Sequence, residues 1–202
     1  MLIHGHDAGS DDDEWRSFVT AQGFGHLVAA GAGRAVPVVV PTQYLLEGAG
    51  VWLHVAIANP VLVALAENRR AVVAVAGDWA YIPGRWKAVG DEDPALGIPT
   101  TYYAAVQLTG TVEVLDDPDE IADVLRRQLG SLEQGSELAD PTLHGAKLRA
   151  IRGLHLEIEE VRAKFKYGGN VDAAHRSAVA AELAARGGPG DAAALEHLRR
   201  RS

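Results

Sequence analysis

The junction VWLHVAIANP at 51–60 is the first place where residue types and spacing could do chemistry, with His54 on an alternating run and Asn59-Pro60 after it. Asn is a favoured helix N-cap and Pro suits the first helical position. A helix starting there would present unpaired backbone N–H groups, a cradle for a phosphate. The same residues serve equally as ordinary capping with no ligand. Lys164 and Lys166 form a second candidate anion contact, or a pair of solvated lysines at a strand end. Trp79, Tyr81, Trp86, Tyr102 and Tyr103 could wall a pocket for a flat ring system, or pack as core and interface aromatics.

Other chemistries lack their residues. With no cysteine there is no disulfide framework, thiolate metal site or cysteine nucleophile. No P-loop is present and no GxGxxG follows a strand pattern. None of Ser10, Ser17, Ser131, Ser136, Ser177 and Ser202 sits in a GxSxG elbow, which argues against a serine hydrolase. The eight histidines form no HExxH or HxxxH pair, and His4 and His6 fall in a terminus expected to be loose, so no metal site is expected. The balance of 19 basic to 27 acidic residues, net −8, argues against broad nucleic-acid binding through phosphate neutralisation. No apolar run approaches the roughly 18 residues of a membrane span. The opening MLIHGHDAGSDDDEW lacks the basic and apolar regions of a signal peptide, so a cytoplasmic protein is expected.

The elements that must position these residues read as a mixture dominated by strands. At 202 residues and 48% apolar, the chain suits one domain, or one with an appendage. Ser10 followed by four acidic residues predicts a capped helix with Trp15, Phe18 and Val19 inward and Gly23 at its end. Short apolar runs at 24–30, 34–40, 51–57 and 71–77 read as strands, the first two joined through Gly31-Ala32-Gly33. In 51–57, Val51, Leu53, Val55 and Ile57 should share one face, and Trp52, His54 and Ala56 the other. Residues 78–99 read as a long irregular stretch, of the kind usually functional or disordered, and its aromatics argue against disorder. The longest strand signal is 101–115, with Gly110 marking a bulge or bend.

Asp117-Pro118 then starts a helix with Ile121, Val124, Leu125, Leu129 and Leu132 on one face. Asp140-Pro141 starts another, with Leu143, Leu148 and Ile151 inward and Gly153 at its end. A strand over 153–161 and two Ala-rich helices near 172–186 and 191–201 complete the chain. Without βαβ alternation, an antiparallel sheet closing into a small barrel with peripheral helices fits better than a parallel doubly wound sheet. The expected organisation is a loose N-terminus at 1–10, a domain at 11–170 and a helical appendage at 171–202.

Five blocks in order resemble the PaiB-type FMN-binding split-barrel proteins, often described as FMN-binding negative transcriptional regulators. That family is related to the pyridoxamine-phosphate-oxidase-like flavoproteins. The family's early F-x-x-L-V and Pro-terminated second strand appear at 24–28 and 36–41, and its H-V-A-R-A-N-P as HVAIANP at 54–60. Its G-x-x-A-Y-I-S-P-x-W appears as GDWAYIPGRW at 77–86, its V-P-T-W-N-Y-A-A-V as IPTTYYAAV at 98–106, and its K-F-K-L-S-Q-N as KFKYGGN at 164–170. The departures each remove a polar or aromatic group from a motif: Ile57 stands for the family's arginine, Thr101-Tyr102 for Trp-Asn, Pro83-Gly84 for Ser-Pro, and Gly168-Gly169 for Ser-Gln.

The resemblance implies an α+β fold, mainly β: a six-stranded antiparallel split barrel with peripheral helices, in a homodimer with FMN between subunits. FMN would be weakly held or absent wherever the replaced motif groups are needed. Implied flavin contacts are the strand residues Val38, Val39 and Val40, then His54, Ala56 and Asn59, then Arg85, Trp86, Tyr102 and Tyr103, and finally Lys164 and Lys166. The implied function is an FMN-binding flavoprotein, extending to flavin-dependent oxidoreductase activity, with no catalytic residue assigned. Two other classes stay open. The family label implies a transcriptional regulator, against which stand the net charge and a single dense basic cluster, Arg199-Arg200-Arg201. A haem-binding split barrel would need an axial histidine, with His26, His54, His144, His155 and His175 as candidates by residue type.

Overall fold

Alternating burial along the strands, together with capped helix starts, generates the architecture of this chain. The computed structural model describes residues 1–133 and 137–201. Ser136 and Ser202 therefore lie outside the described residues. Its strands are β1 Phe24–Ala29, β2 Val38–Gln43, β3 Leu45–Glu47, β4 Gly50–Ala56, β5 Arg70–Ile82, β6 Thr100–Leu115 and β7 Ile151–Lys166. Its α-helices are α1 Asp12–Gln22, α2 Val61–Glu67, α3 Pro118–Leu132, α4 Ala146–Arg149, α5 Ala173–Arg186 and α6 Asp191–Arg200. Among the described residues no helix is long and apolar enough to cross a membrane.

The strands form one sheet in the order β2-β1-β5-β6-β7-β4-β3. This corrects the expectation of six strands closed into a barrel. There are seven, and β2 and β3 end the order without pairing to each other among the described residues. The strand missed by the sequence pattern is β3, three residues too short to show a period. It folds back onto β4 through Gly48-Ala49, with Glu47 opposite Gly50, and Gly48 takes φ +59°, a conformation glycine adopts without a Cβ clash.

The chain divides into two compact units. Unit 1 comprises Met1–Trp15, Ala76–Val106 and Arg162–Ser202, and unit 2 comprises Arg16–Val75 and Gln107–Val161.

In unit 2, β1 pairs antiparallel with both β2 and β5, and β4 pairs antiparallel with both β3 and β7. Strand β2 starts at Val38, not at residue 34, so its connection to β1 is longer than the expected three-residue turn. Pro41 inside β2 is tolerated because β2 ends the sheet order. It also sets the phase of the edge. Pro41 lies opposite His26 and has no N–H, so that pair is a non-bonded one; Val39, two residues away, then turns its own N–H away from β1.

Strand β4 alternates as expected over Val51, Leu53 and Val55, all buried, with His54 and Ala56 exposed. Ile57 is the exception: it falls beyond the strand end and is exposed. Helix α3 begins as read, with the Asp117 carboxylate accepting from Asp119 and Glu120 N–H. Leu132, placed on its inward face by spacing, is half exposed near the helix end. The Asp140-Pro141 segment is only a 3-10 turn and the four-residue α4, so Leu143 is exposed, while Leu148 packs with Ile121 and Ala122. Ile151 and Gly153 belong to β7, because α4 ends at Arg149 instead of running on to Gly153.

In unit 1, Asp11 rather than Ser10 accepts from the Glu14 N–H at 2.9 Å, and Glu14 reaches back to the Ser10 N–H at 2.7 Å. That reciprocal arrangement is a capping box shifted by one residue. Strand β5 does not stop at Gly77 but continues to Ile82. It passes through Asp78, whose φ of +51° is rare outside glycine and costs on the order of 1 kcal/mol. Three contacts hold Asp78 there: the Tyr167 hydroxyl donates to its carbonyl at 2.8 Å, His197 Nε2 meets its carboxylate at 2.9 Å, and Tyr167 stacks on His197 at 4.5 Å. Burial pushes the Tyr167 phenol far above its ordinary pKa, so it stays a donor.

The irregular stretch thereby shrinks to 83–99, and it is ordered by its own hydrogen bonds. Glu92 accepts from the Val89 N–H, Asp93 caps Ala95, and Gly84 lies so close to Gly97 that a Cβ on either would overlap the other's carbonyl oxygen. Helix α5 is tied to this loop through His175, whose Nδ1 meets Asp172 at 2.8 Å and whose Nε2 meets Glu92 at 3.0 Å. The Asp172 bond and then the Glu92 bond raise the His175 pKa. A raised folded-state pKa means the tie is complete below the unfolded value, about 6.5, and is lost as pH rises through the folded value. Loop amides at 84–97 should therefore exchange faster as pH is raised through that window, after correction for intrinsic base catalysis. In His175→Ala the corrected profile should be flat; an unchanged profile would contradict the tie.

Candidate functional site

The sequence-nominated residues fall into two groups, one in each unit, and each group has its own geometry.

In unit 2, Val38, Val39 and Val40 lie on β2, opposite Ala29, Val28 and Leu27 of β1. Val39 is half exposed, and its N–H is the one that points off the sheet edge, so the edge presents an apolar side chain beside a backbone donor. His54 and Ala56 share the exposed face of β4. The His54 Nδ1 lies 2.7 Å from Gln128 Oε1 on α3. With that carbonyl as acceptor, Nδ1 carries a proton and donates it. Both Asn59 oxygens are engaged locally: the side-chain Oδ1 accepts from the Val61 N–H at 3.0 Å, and the backbone carbonyl accepts from the Leu62 N–H. Since α2 spans only seven residues and its first free N–H is already capped, the structure favours capping over a phosphate cradle here.

Trp52 adds a feature the sequence did not flag. Its ring stacks on His155 at 3.9 Å, with the Arg127 guanidinium 5.0 Å from its centroid. Gly50 makes room for that histidine, because a Cβ there would collide with the His155 ring.

In unit 1, Tyr103, Lys164 and Lys166 come together. The two ammonium groups stand 5.7 and 6.0 Å from the Tyr103 ring centroid, within cation–π range. They are not equivalent. Lys164 is buried, pairs with buried Asp7 at 3.4 Å and donates to the Leu2 carbonyl at 3.0 Å, so its charge is already compensated. Lys166 is half-buried and donates to Thr100 Oγ1 at 2.8 Å, leaving two ammonium protons for another acceptor. Arg85 is exposed. Trp86 is buried beneath the Arg186 guanidinium, 4.5 Å from its ring, and Tyr102 is buried edge-on against Tyr167 at 5.9 Å. Both are therefore packing residues rather than exposed pocket walls. Trp79 and Tyr81, by contrast, are 62% and 50% exposed on β5.

Whether these residues suit a flavin can be judged from their chemistry. A flavin needs apolar and aromatic surface for its ring, backbone donors at the ring edge, and cations for its phosphate. Unit 2 presents the β2 edge with the outward Val39 N–H. Unit 1 presents exposed Trp79 and Tyr81, half-buried Tyr103, and Lys166 with unspent protons. Those groups fit; Lys164 does not contribute, because Asp7 already neutralises it, and the Asn59 Oδ1 is taken by the Val61 N–H. Sequence reasoning missed Thr100, which orients Lys166, and Asp7, which neutralises Lys164. Neither pairing leaves a local signal, since the partners are far apart in sequence.

Comparison with known proteins bears on the family and the fold. Residues 1–160 match the family model described as "Putative FMN-binding domain". The chain is 24% identical over 166 residues to the protease synthase and sporulation protein PAI 2 of Bacillus subtilis (strain 168), covering 78% of this chain and 77% of that protein. Among solved structures it is similar to the flavocytochrome Anf3 from Azotobacter vinelandii, with a TM-score of 0.60 and 21% identity over 79% of this chain and 69% of that one. It is also similar to an FAD and heme binding protein from Mycobacterium smegmatis, with a TM-score of 0.58 and 21% identity over 86% of this chain and 78% of that one. At such identities the structural likenesses speak to fold alone.

Proposed function

We propose, from the premise that this chain belongs to the family of FMN-binding domains, that it binds FMN and serves as a flavoprotein oxidoreductase, acting as a cytosolic homodimer. The observation that carries the proposal is the family match across residues 1–160. The donor chemistry of the chain supports it. When bound, FMN would supply one- and two-electron redox chemistry, and the protein would supply binding, orientation and electrostatics.

Within unit 2, the proposed contacts are the β2 edge at Val38, Val39 and Val40 and the exposed β4 face at His54 and Ala56. Within unit 1, they are Lys166, Arg85 and Tyr103, with Trp79 and Tyr81 offering further aromatic surface. Lys166 is the proposed phosphate partner, because Thr100 fixes its ammonium while leaving two protons unspent. Lys164 serves instead to neutralise Asp7.

A comparison of FMN with riboflavin tests this assignment, since the two share the ring and differ in the phosphate. Lys166→Ala should weaken FMN roughly tenfold, the scale of one charge-assisted hydrogen bond, and leave riboflavin unchanged. Equal losses for both ligands, or no loss for FMN, would contradict Lys166 as the phosphate partner.

A further inference from the structure

Unit 1 contains a cavity of about 420 Å³ that none of the proposed flavin contacts lines. Its walls are the 83–99 loop and the segment leading into α5: Ala88, Leu96, Gly97, Ile98 and Val171, with Lys87, Glu92, Asp93 and His175 among them. The volume falls in the range of small-molecule sites, and the lining is mainly apolar. Leu96 and Ile98 are 79% and 75% exposed, although the loop carrying them is ordered by its own hydrogen bonds. Two large aliphatic side chains held out on an ordered loop beside a cavity offer apolar surface to a ligand.

The charges of the lining select the ligand's polar end. Glu92 is engaged by the Val89 N–H and by His175, and Asp93 by the Ala95 N–H. His175 is engaged on both ring nitrogens. Lys87 alone among these charged groups has neither a hydrogen bond nor an ion pair among the described residues. The two carboxylates are held by bonds within the loop and to α5, so the Lys87 ammonium, with all three of its protons unspent, is the charged group of this mainly apolar lining left to meet a ligand's polar end, and it suits a molecule with an apolar body and a carboxylate.

We propose that this cavity is a binding site for a small apolar carboxylate, with Lys87 holding the carboxylate and Leu96, Ile98 and Val171 covering the aliphatic or aromatic body. The site is separate from the flavin contacts proposed above and does not depend on them.

The test uses octanoate as the probe, with 1-octanol and octylammonium as comparators, followed by ligand-observed NMR on the full chain with and without saturating FMN. Octanoate should bind more tightly than either comparator, and FMN should not displace it. Lys87→Ala should weaken octanoate about tenfold and leave octanol unchanged, while Lys87→Arg should retain most of the affinity. Leu96→Asp should weaken both octanoate and octanol. Melting temperatures unchanged from the parent confirm that the variants fold. No binding of octanoate at millimolar concentration, equal binding of octanoate and octanol, preference for octylammonium, displacement by FMN, or indifference to Lys87→Ala would each overturn the proposal.

Discussion

Gly110→Ala should cost about 4 kcal/mol or more and either abolish folding or lower the melting temperature by about 8–16 °C. Gly110 is buried in β6, in the part of the strand that belongs to unit 2. Its φ is unremarkable, so conformational freedom is not what it contributes. The requirement is space: a Cβ there would overlap the carbonyl oxygen of Glu157 and lie 2.8 Å from its carbonyl carbon. That neighbour is backbone of β7, which is held on its other side by β4 through the pair Gly50 and Glu157, so it cannot swing aside as a flexible side chain would. A matched control guards the reading. Gly130 lies in helix α3 of the same unit with nothing within 4 Å of its would-be Cβ, and Gly130→Ala should be stabilising by about 0.5–1 kcal/mol. Thermal and urea unfolding of both variants decide the matter. A Gly110→Ala protein as stable as the parent would contradict the close approach of β6 and β7.

The second large effect belongs to unit 1. Arg186, the last residue of α5, reaches the carboxylate of Asp191 at the start of α6 with two hydrogen bonds, at 2.7 and 2.5 Å. The pair closes the Gly187–Gly190 turn from outside, and Gly188 adds its N–H to the same carboxylate at 2.8 Å. Arg186 also covers the Trp86 ring and donates to the Tyr81 carbonyl at 3.0 Å. The two partners differ in burial: the side chain of Asp191 is 1% exposed and that of Arg186 33%. Removing the arginine strands a buried anion, whereas removing the anion leaves a cation that water can still reach. Arg186→Ala should therefore cost about 3 kcal/mol and Asp191→Asn distinctly less. Arg186→Lys should recover only part of the loss, because an ammonium cannot reproduce the bidentate geometry.

The same pair sets an acid limit. The Arg186 bond holds the Asp191 carboxyl below its ordinary range, so its contribution is present above the unfolded carboxylate pKa and is lost as pH falls through the folded one. In Asp191→Asn that part of the acid profile should disappear. Equal costs for Arg186→Ala and Asp191→Asn would contradict the asymmetry in burial.

What could be read from the sequence depended on whether the deciding interaction was local. Asp117 ahead of Pro118 caps α3 as its residue types require, and the Gly-rich break between α5 and α6 falls where composition puts it. The alternation of Val51, Leu53 and Val55 against His54 and Ala56 survives intact because β4 buries one face. Local patterns failed where a tertiary contact overrode them. Asp78 looks like a strand terminator, yet Tyr167 and His197 hold it inside β5 in a left-handed conformation. Leu143 and Ile57 look like core residues by spacing, but the elements meant to carry them end early, and both are exposed. At the candidate site, the sequence named Tyr103, Lys164 and Lys166, three residues that the fold brings together. It could not tell the two lysines apart, because the group that neutralises one of them, Asp7, lies near the other end of the chain.

Flavin binding is the central claim, and direct titration of the purified chain with FMN, followed by flavin fluorescence and visible absorbance, tests it most directly. The account predicts a saturable complex with a dissociation constant at or below tens of micromolar, equivalent to about −6 kcal/mol or better, and a perturbed flavin spectrum. A flavin-free protein whose addition leaves FMN fluorescence and absorbance unchanged at those concentrations would contradict it.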